Sequence, residues 1–130
     1  MPELLAPVSP GELLDKITIL EIKAERITEP TKLANVRHEL AVLNTCWLGS
    51  GLATAAVAAD VDALRAVNAR LWDIEDDIRD CERRGDFSTD FIRLARSVYI
   101  ENDERAAIKK RINVALGATL VEEKSYRQYR

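Results

Sequence analysis

Apolar residues recur at helical spacing along the whole chain, and two long stretches lack both glycine and proline. These stretches are 52–84 and 86–116, and Gly85 alone separates them. Because apolar positions three and four residues apart share one helix face, each stretch predicts a long helix. Together they predict an antiparallel hairpin that turns at Gly85. No segment shows the alternation with period two that is typical of strands.

The first helix is predicted from Pro10 to about Ile27 and has two apolar faces. Ser9 and Glu12 have the spacing of a capping box, with proline at the first helical position. One face carries a regular stripe, whereas Ile19 and Ile22 fall on the opposite side. Such a helix either lies between neighbours or takes part in a subunit interface. The third alternative is that both isoleucines are simply exposed.

The other helices follow from local signals. The second helix is expected to begin after Pro30 and to continue its apolar stripe to Trp47, before glycines 49 and 51 end it. The alanine-rich stretch 53–59 is expected to form the frayed start of the third helix. The expected caps and stops are Thr31, Ser88 or Thr89, and Gly117. Residues 118–130 form a polar tail to which the pattern assigns no structure.

These elements predict an all-α protein with a single domain over residues 1–130. The architecture is expected to be an antiparallel up-and-down bundle of about four helices, with a long hairpin of helices 3 and 4. In a monomer the long pair would overhang the short pair. The overhang would need cover, which favours a homodimer with Ile19 and Ile22 in or near the contact.

A polar patch interrupts the apolar stripe of the fourth helix. Asn102, Arg105 and Lys109 lie on the same face as the apolar residues before and after them. Folding the hairpin about Gly85 brings Asn68 and Glu75 of the third helix towards them. The candidate ligand-binding residues are therefore Asn68, Glu75, Asn102, Arg105 and Lys109, and Lys16 and Glu21 are the candidates to join them from the first helix.

Three interpretations of this patch stay open. It could bind a small anion, because Arg105 presents a planar fork and Lys109 a point charge. Glu75 could instead pair with Arg105 and fix the helix register. A modest helix rotation would place both basic residues at the rim, in water.

Composition narrows the function classes. The net charge is −3, with 47% hydrophobic and 32% charged residues, so no basic surface for nucleic acid or anionic lipid is expected, and no membrane span. The N-terminal segment lacks the pattern of a signal peptide, which predicts a cytoplasmic location. The single histidine, His38, is predicted to be exposed, and Cys46 and Cys81 do not have zinc-site spacing. We therefore expect no catalytic residues, metal or cofactor, and a non-enzymatic role is favoured over an enzymatic one.

Acidic residues are dense on the third and fourth helices. Asp73 with Asp76, and Glu101 with Glu104, have the i, i+3 spacing that can hold Mg²⁺. Helical nucleotide pyrophosphohydrolases pair acidic motifs of this kind across two helices. Because Asp73 and Asp76 point away from the apolar stripe, an exposed acidic face is the favoured interpretation.

Four segments resemble a family of short bacterial helical proteins known only as a domain of unknown function. They are SPGELLDKITILEIKAERI at 9–27, LWDIEDDIRDCERRGDF at 71–87, NDERAAIKKRIN at 102–113 and LVEEKSY at 120–126. The resemblance implies a compact all-α bacterial protein without an established reaction. Members lie near surface-polysaccharide genes, which implies an accessory role in surface-polysaccharide synthesis.

The first helix is also similar to that of the all-helical chorismate mutases, small dimers with a basic pocket among long helices. That resemblance rests on LLDKITILEIKAERI at 13–27 and implies Lys16 and Arg26 as its basic contacts. Two function hypotheses therefore stand. The first is a non-enzymatic homodimer that acts through contacts with a protein partner. The second is a small-anion-binding protein or enzyme with a pocket in the bundle core, similar to a chorismate mutase or a nucleotide pyrophosphohydrolase.

Overall fold

The computed structural model describes residues 2–130, which form four α-helices and a short 3-10 helix. The helices are α1 (Pro10–Arg26), α2 (Pro30–Gly49), α3 (Ala58–Arg84) and α4 (Thr89–Ala115), and the 3-10 helix is Thr54–Val57. The all-α fold and the long hairpin of α3 and α4 are confirmed. Gly85 ends α3 with φ of 67°, in the left-handed region that favours glycine.

Helix α1 lies at the centre of the bundle. It packs against α2, α3 and α4, whereas the backbone of α2 lies close to α1 and not to α3 or α4 within residues 2–130. Helices α1, α3 and α4 therefore pack around one another, and α2 lies on the outer side of α1 and inserts Trp47 into the shared core. Ile22 is 4% exposed and Ile19 is half-buried, so the second apolar face of α1 is covered inside one chain. Of the alternatives for this face, a position between neighbours is the one observed.

Several boundaries differ from the sequence-based expectation. Helix α1 ends at Arg26, one residue early. The cap of α2 is Glu29 and not Thr31, because the longer carboxylate side chain accepts the backbone N–H groups of Thr31 and Lys32 at 3.0 and 2.8 Å. The alanine-rich stretch is divided between the 3-10 helix and the start of α3. Ser88 is the residue that precedes α4, as expected.

One apolar core joins the first half of α1 to α2 and to the hairpin. Trp47 at the end of α2 is buried in it, and its indole N–H donates to the Thr54 hydroxyl at 3.0 Å. This bond ties α2 to the 3-10 helix and satisfies the only polar group of a buried indole. The buried residues of the core are Leu13, Leu14, Ile17, Trp47, Val57, Leu64, Val67, Ile108 and Ile112.

The start of α1 touches α4 very closely. The backbone N–H of Gly11 donates to Asn113 Oδ1 at 2.7 Å, and a Cβ at Gly11 would lie 2.6 Å from the carbonyl oxygen of Lys109. The Ser9 hydroxyl accepts the N–H of Glu12 at 3.1 Å, which confirms the helix cap. The Glu12 carboxylate points to Lys109, so only half of the expected capping box forms. The close approach of Gly11 to Lys109 and Asn113 sets the register of α1 on α4.

Membrane-spanning potential is low for every helix taken singly. Among residues 2–130, no individual helix combines the length and the apolar character needed to cross a membrane. Helix α2 and the segment Thr54–Arg84, which are bent by 113° at their junction, meet the criterion only when they are taken together.

A buried charge network as the candidate functional site

Asp15 of α1 is the centre of a polar network inside the bundle. Asp15 is 1% exposed. Arg105 donates to it from Nε at 2.9 Å and from a second guanidinium nitrogen, which makes the contact bidentate. The Asn68 amide donates to Asp15 at 3.0 Å and to the Thr18 hydroxyl at 3.1 Å. A buried carboxylate is stable only when it is paired and hydrogen-bonded in this way.

Arg105 is held as a cation by this contact. The hydrogen bond to Asp15 raises the pKa of Arg105 and outweighs the effect of burial, which acts to lower it. The guanidinium group also lies 3.5 Å from Asn102 Oδ1, while the Asn102 amide donates to the Val98 carbonyl oxygen at 2.9 Å. Asn102 therefore braces the outer side of Arg105 from the preceding turn of α4.

Lys109, one turn further along α4, is surrounded by three carboxylates. Its ammonium nitrogen lies 2.6 Å from Glu12, 3.1 Å from Glu122 and 3.9 Å from Asp15. Its side chain is 11% exposed. Burial acts to lower the pKa of Lys109, but the hydrogen bonds to Glu12 and Glu122 outweigh it, so the pKa is raised. The ammonium group therefore stays charged throughout the physiological range.

The structure brings together four of the five candidate residues from the sequence. Asn68, Asn102, Arg105 and Lys109 all belong to the network. Glu75 does not, because its carboxylate pairs with Arg79 on its own helix. Glu75 and Arg105 line one surface groove without forming an ion pair. The buried pair proposed for Arg105 exists, but its partner is Asp15.

Sequence reasoning missed the contributions of α1 and of the tail. Lys16 is exposed and Glu21 pairs with Arg65, so neither residue joins the network. The α1 residues that do join it are Asp15, Thr18 and Glu12, and the tail contributes Glu122. The available signal was Asp15 itself, since at about 100° per residue it shares the second apolar face of α1 with Ile19 and Ile22. A carboxylate on a covered face needs a cation opposite.

Two neighbouring cavities lie on the outer side of the network. One has a volume of about 330 Å³ and is lined mainly by charged and amide side chains, among them Asn102, Arg105, Lys109, Glu122 and Lys124. The other has a volume of about 500 Å³ and is lined by three tyrosines, Tyr99, Tyr126 and Tyr129. The cavities share Asn102 and Lys124. A charged chamber thus adjoins an aromatic one.

One member of each acidic pair of α3 and α4 forms a surface ion pair. Asp73 pairs with Arg26 at 2.6 Å, and Glu101 pairs with Arg70 at 3.1 Å. Within the described part of the chain, no group of three or more His, Cys, Asp or Glu residues is placed to hold a metal ion. His38 is exposed, as expected. Arg26 is paired with Asp73 at the surface and therefore does not line a basic pocket of the kind that the resemblance to chorismate mutases implied.

The helix packing and the buried network define an all-α bundle protein. The chain belongs to a family of unknown function, DUF6165, whose match extends over residues 5–129. This finding confirms the membership inferred from the four sequence segments. Comparison with the curated proteins and with the solved structures gives no match to the chain.

Proposed function

We propose that the protein is a non-enzymatic homodimer that acts through protein–protein contacts. One surface carries this proposal, and we call it the neutral surface. It consists of the exposed residues of segment 40–59, which covers the second half of α2, the 3-10 helix and the start of α3. This segment contains no Asp, Glu, Lys, Arg or His, although 32% of the chain is charged.

The structure exposes most of the neutral surface. Leu48 is 78% exposed, and Val42, Cys46 and Ala55 are exposed as well. Helix α2 packs mainly on α1 and buries only Val36 and Trp47. A helix with apolar residues on several sides is normally covered on more than one side. Contiguous uncharged surface of this kind is typical of an interaction site.

The total surface area leaves room for an interface. The chain has a mass of 14.6 kDa and exposes 8968 Å², whereas a compact monomer of this mass exposes about 6,900 Å² by the usual scaling. The extended ends, 2–9 and 118–130, account for part of the excess. A standard interface needs about 800 Å² from each partner.

A second copy of the chain is the partner that the neutral surface suits best. In a twofold dimer the same patch meets itself, so a charged group near the symmetry axis would face its own like-charged copy. A patch without charges avoids that repulsion, while the rest of the chain carries a net charge of −3. This contact surface differs from the one expected around Ile19 and Ile22, because the chain itself covers Ile22.

Light scattering after size exclusion tests the proposal. We expect twice the monomer mass at micromolar concentration for the natural sequence. Leu48→Glu should give a monomer with an unchanged circular dichroism spectrum, because the side chain is exposed within one chain. The matched control is Ile92→Glu, an exposed helical isoleucine near the hairpin turn, which should stay dimeric.

Two outcomes would overturn the proposal. A natural chain that is monomeric at these concentrations would remove the homodimer. A dimer that survives Leu48→Glu and dissociates with Ile92→Glu would place the interface at the overhanging end of the hairpin. The cytoplasmic location and the accessory role in surface-polysaccharide synthesis are further parts of the proposal, and they rest on the sequence alone.

A further inference from the structure

The C-terminal tail lies along α4 and is held there by side chains. The last backbone contact with the bundle is the bond from Ala118 N–H to the Asn113 carbonyl oxygen, at 2.9 Å. In the described residues 119–130, no backbone group bonds to the rest of the chain. The side-chain contacts are Glu122 with Lys109, Glu123 with Lys110, and Tyr129 with Asp103 and the Tyr99 ring. Segments held in this way open more easily than those in a hydrogen-bonded helix.

Glu122 differs from the other two carboxylates around Lys109. Glu12 and Asp15 belong to α1, so the bundle fixes their positions. Glu122 belongs to the extended tail, and its carboxylate is 3.1 Å from the ammonium nitrogen. The hydrogen bond from Lys109 holds the pKa of Glu122 below its ordinary value. The bundle therefore provides a cationic position, and a carboxylate of the extended tail fills it.

The cavities beside this contact have two different chemical characters. The smaller cavity is lined by three cations, Arg105, Lys109 and Lys124, whose remaining counter-charges without Glu122 are Glu12 and Asp15. One positive charge is therefore left when Glu122 moves away, and an anionic group can replace its carboxylate. The tyrosines of the larger cavity supply flat faces for a ring. Because the cavities share Lys124 and Asn102, one small molecule can reach both.

We propose that this double cavity binds a small ring compound carrying a carboxylate or a phosphate, and that Glu122 competes with the anionic group of the ligand for Lys109. Binding releases Glu122 from Lys109 and places the ring among the tyrosines. The proposal is independent of the homodimer, because the cavity is lined by α1, α4 and the tail and includes no residue of the neutral surface.

Calorimetric titration with phenyl phosphate and with benzoate tests the site, since the two probes share a ring and differ in the anion. We expect binding of at least one probe, and weaker binding of inorganic phosphate. Glu122→Gln removes the competing charge and should tighten binding about fivefold, which is the effect expected from the loss of one partly exposed ion pair. Glu123→Gln is the matched control, because it makes the same change one residue away, at Lys110, and should alter binding less than twofold.

Two further variants test the cation that both cavities share and the aromatic cavity, respectively. Lys124→Ala should remove most of the affinity for both ring probes, and its 41% exposed side chain makes loss of folding a minor concern. Tyr126→Ala, at an exposed ring, should lower affinity for the ring probes and leave that for inorganic phosphate unchanged. Folded Glu122→Gln protein that binds neither ring probe at millimolar concentration would overturn the proposal. Equal tightening by Glu122→Gln and Glu123→Gln would overturn the competition at Lys109.

Discussion

Replacing Arg105 with methionine removes the counter-charge of a carboxylate that the fold keeps from water. Breaking a buried ion pair costs about 3–5 kcal/mol. We expect the lower end, about 3 kcal/mol, because the Arg105 side chain is 30% exposed and Asn68 still donates to Asp15. The unfolding entropy of a chain of 130 residues is about 0.27 kcal/mol/K near the melting temperature. The melting temperature should therefore fall by about 11 °C.

Thermal melts followed by circular dichroism measure this change. The control is Arg65→Met, since Arg65 pairs with Glu21 at 3.2 Å where both side chains are more than a third exposed. It should cost less than about 1 kcal/mol, or about 4 °C. The double variant Asp15→Leu with Arg105→Met should recover most of the loss, because no charge is then stranded. Equal melts for Arg105→Met and Arg65→Met would refute the reasoning.

Two further results are expected. Gly11→Ala places a methyl group 2.6 Å from the Lys109 carbonyl oxygen and should cost about 1–3 kcal/mol in a thermal melt. Gly49→Ala, with nothing within 4 Å, should change the melt little, and equal losses would contradict the close approach. The tail should dock over a limited pH range. The Glu122 contact is complete above the ordinary glutamate pKa of 4.5 and is lost as the pH falls through the lowered pKa. The hydrogen bond to Asp103 raises the pKa of Tyr129, so that contact is complete below the ordinary value of 10.0 and is lost as the pH rises through the raised pKa. NMR signals of residues 119–130 that do not change across both ranges would contradict this.

The helices and the hairpin could be predicted because their signals are local. The glycine-free stretches and Gly85 define α3 and α4, and the cap at Ser9 defines the start of α1. The patch of Asn102, Arg105 and Lys109 was also visible, since polar residues on an apolar stripe need a partner. The expectation that was wrong is the cap of α2, because the helix begins earlier than a Thr31 cap requires and Glu29 accepts the N–H groups of Thr31 and Lys32.

The partner of Arg105 could not be predicted from periodicity. Folding about Gly85 fixes the register of α3 on α4, and Glu75 was the α3 carboxylate considered as a partner of Arg105. The register of α1 on α4 depends on the connection through α2 and on the contact of Gly11 with Asn113, which no sequence period encodes. Asp15 was therefore left unassigned on a face marked only by its apolar neighbours.

The contacts between α1 and α4 also determine the order in which the bundle can be assembled. They join residues far apart in the chain, with separations of 90 from Asp15 to Arg105 and 102 from Gly11 to Asn113. A growing chain that ends before Arg105 would have to bury Asp15 without its counter-charge. We therefore expect the packing of the first three helices to be completed only after α4 has been made.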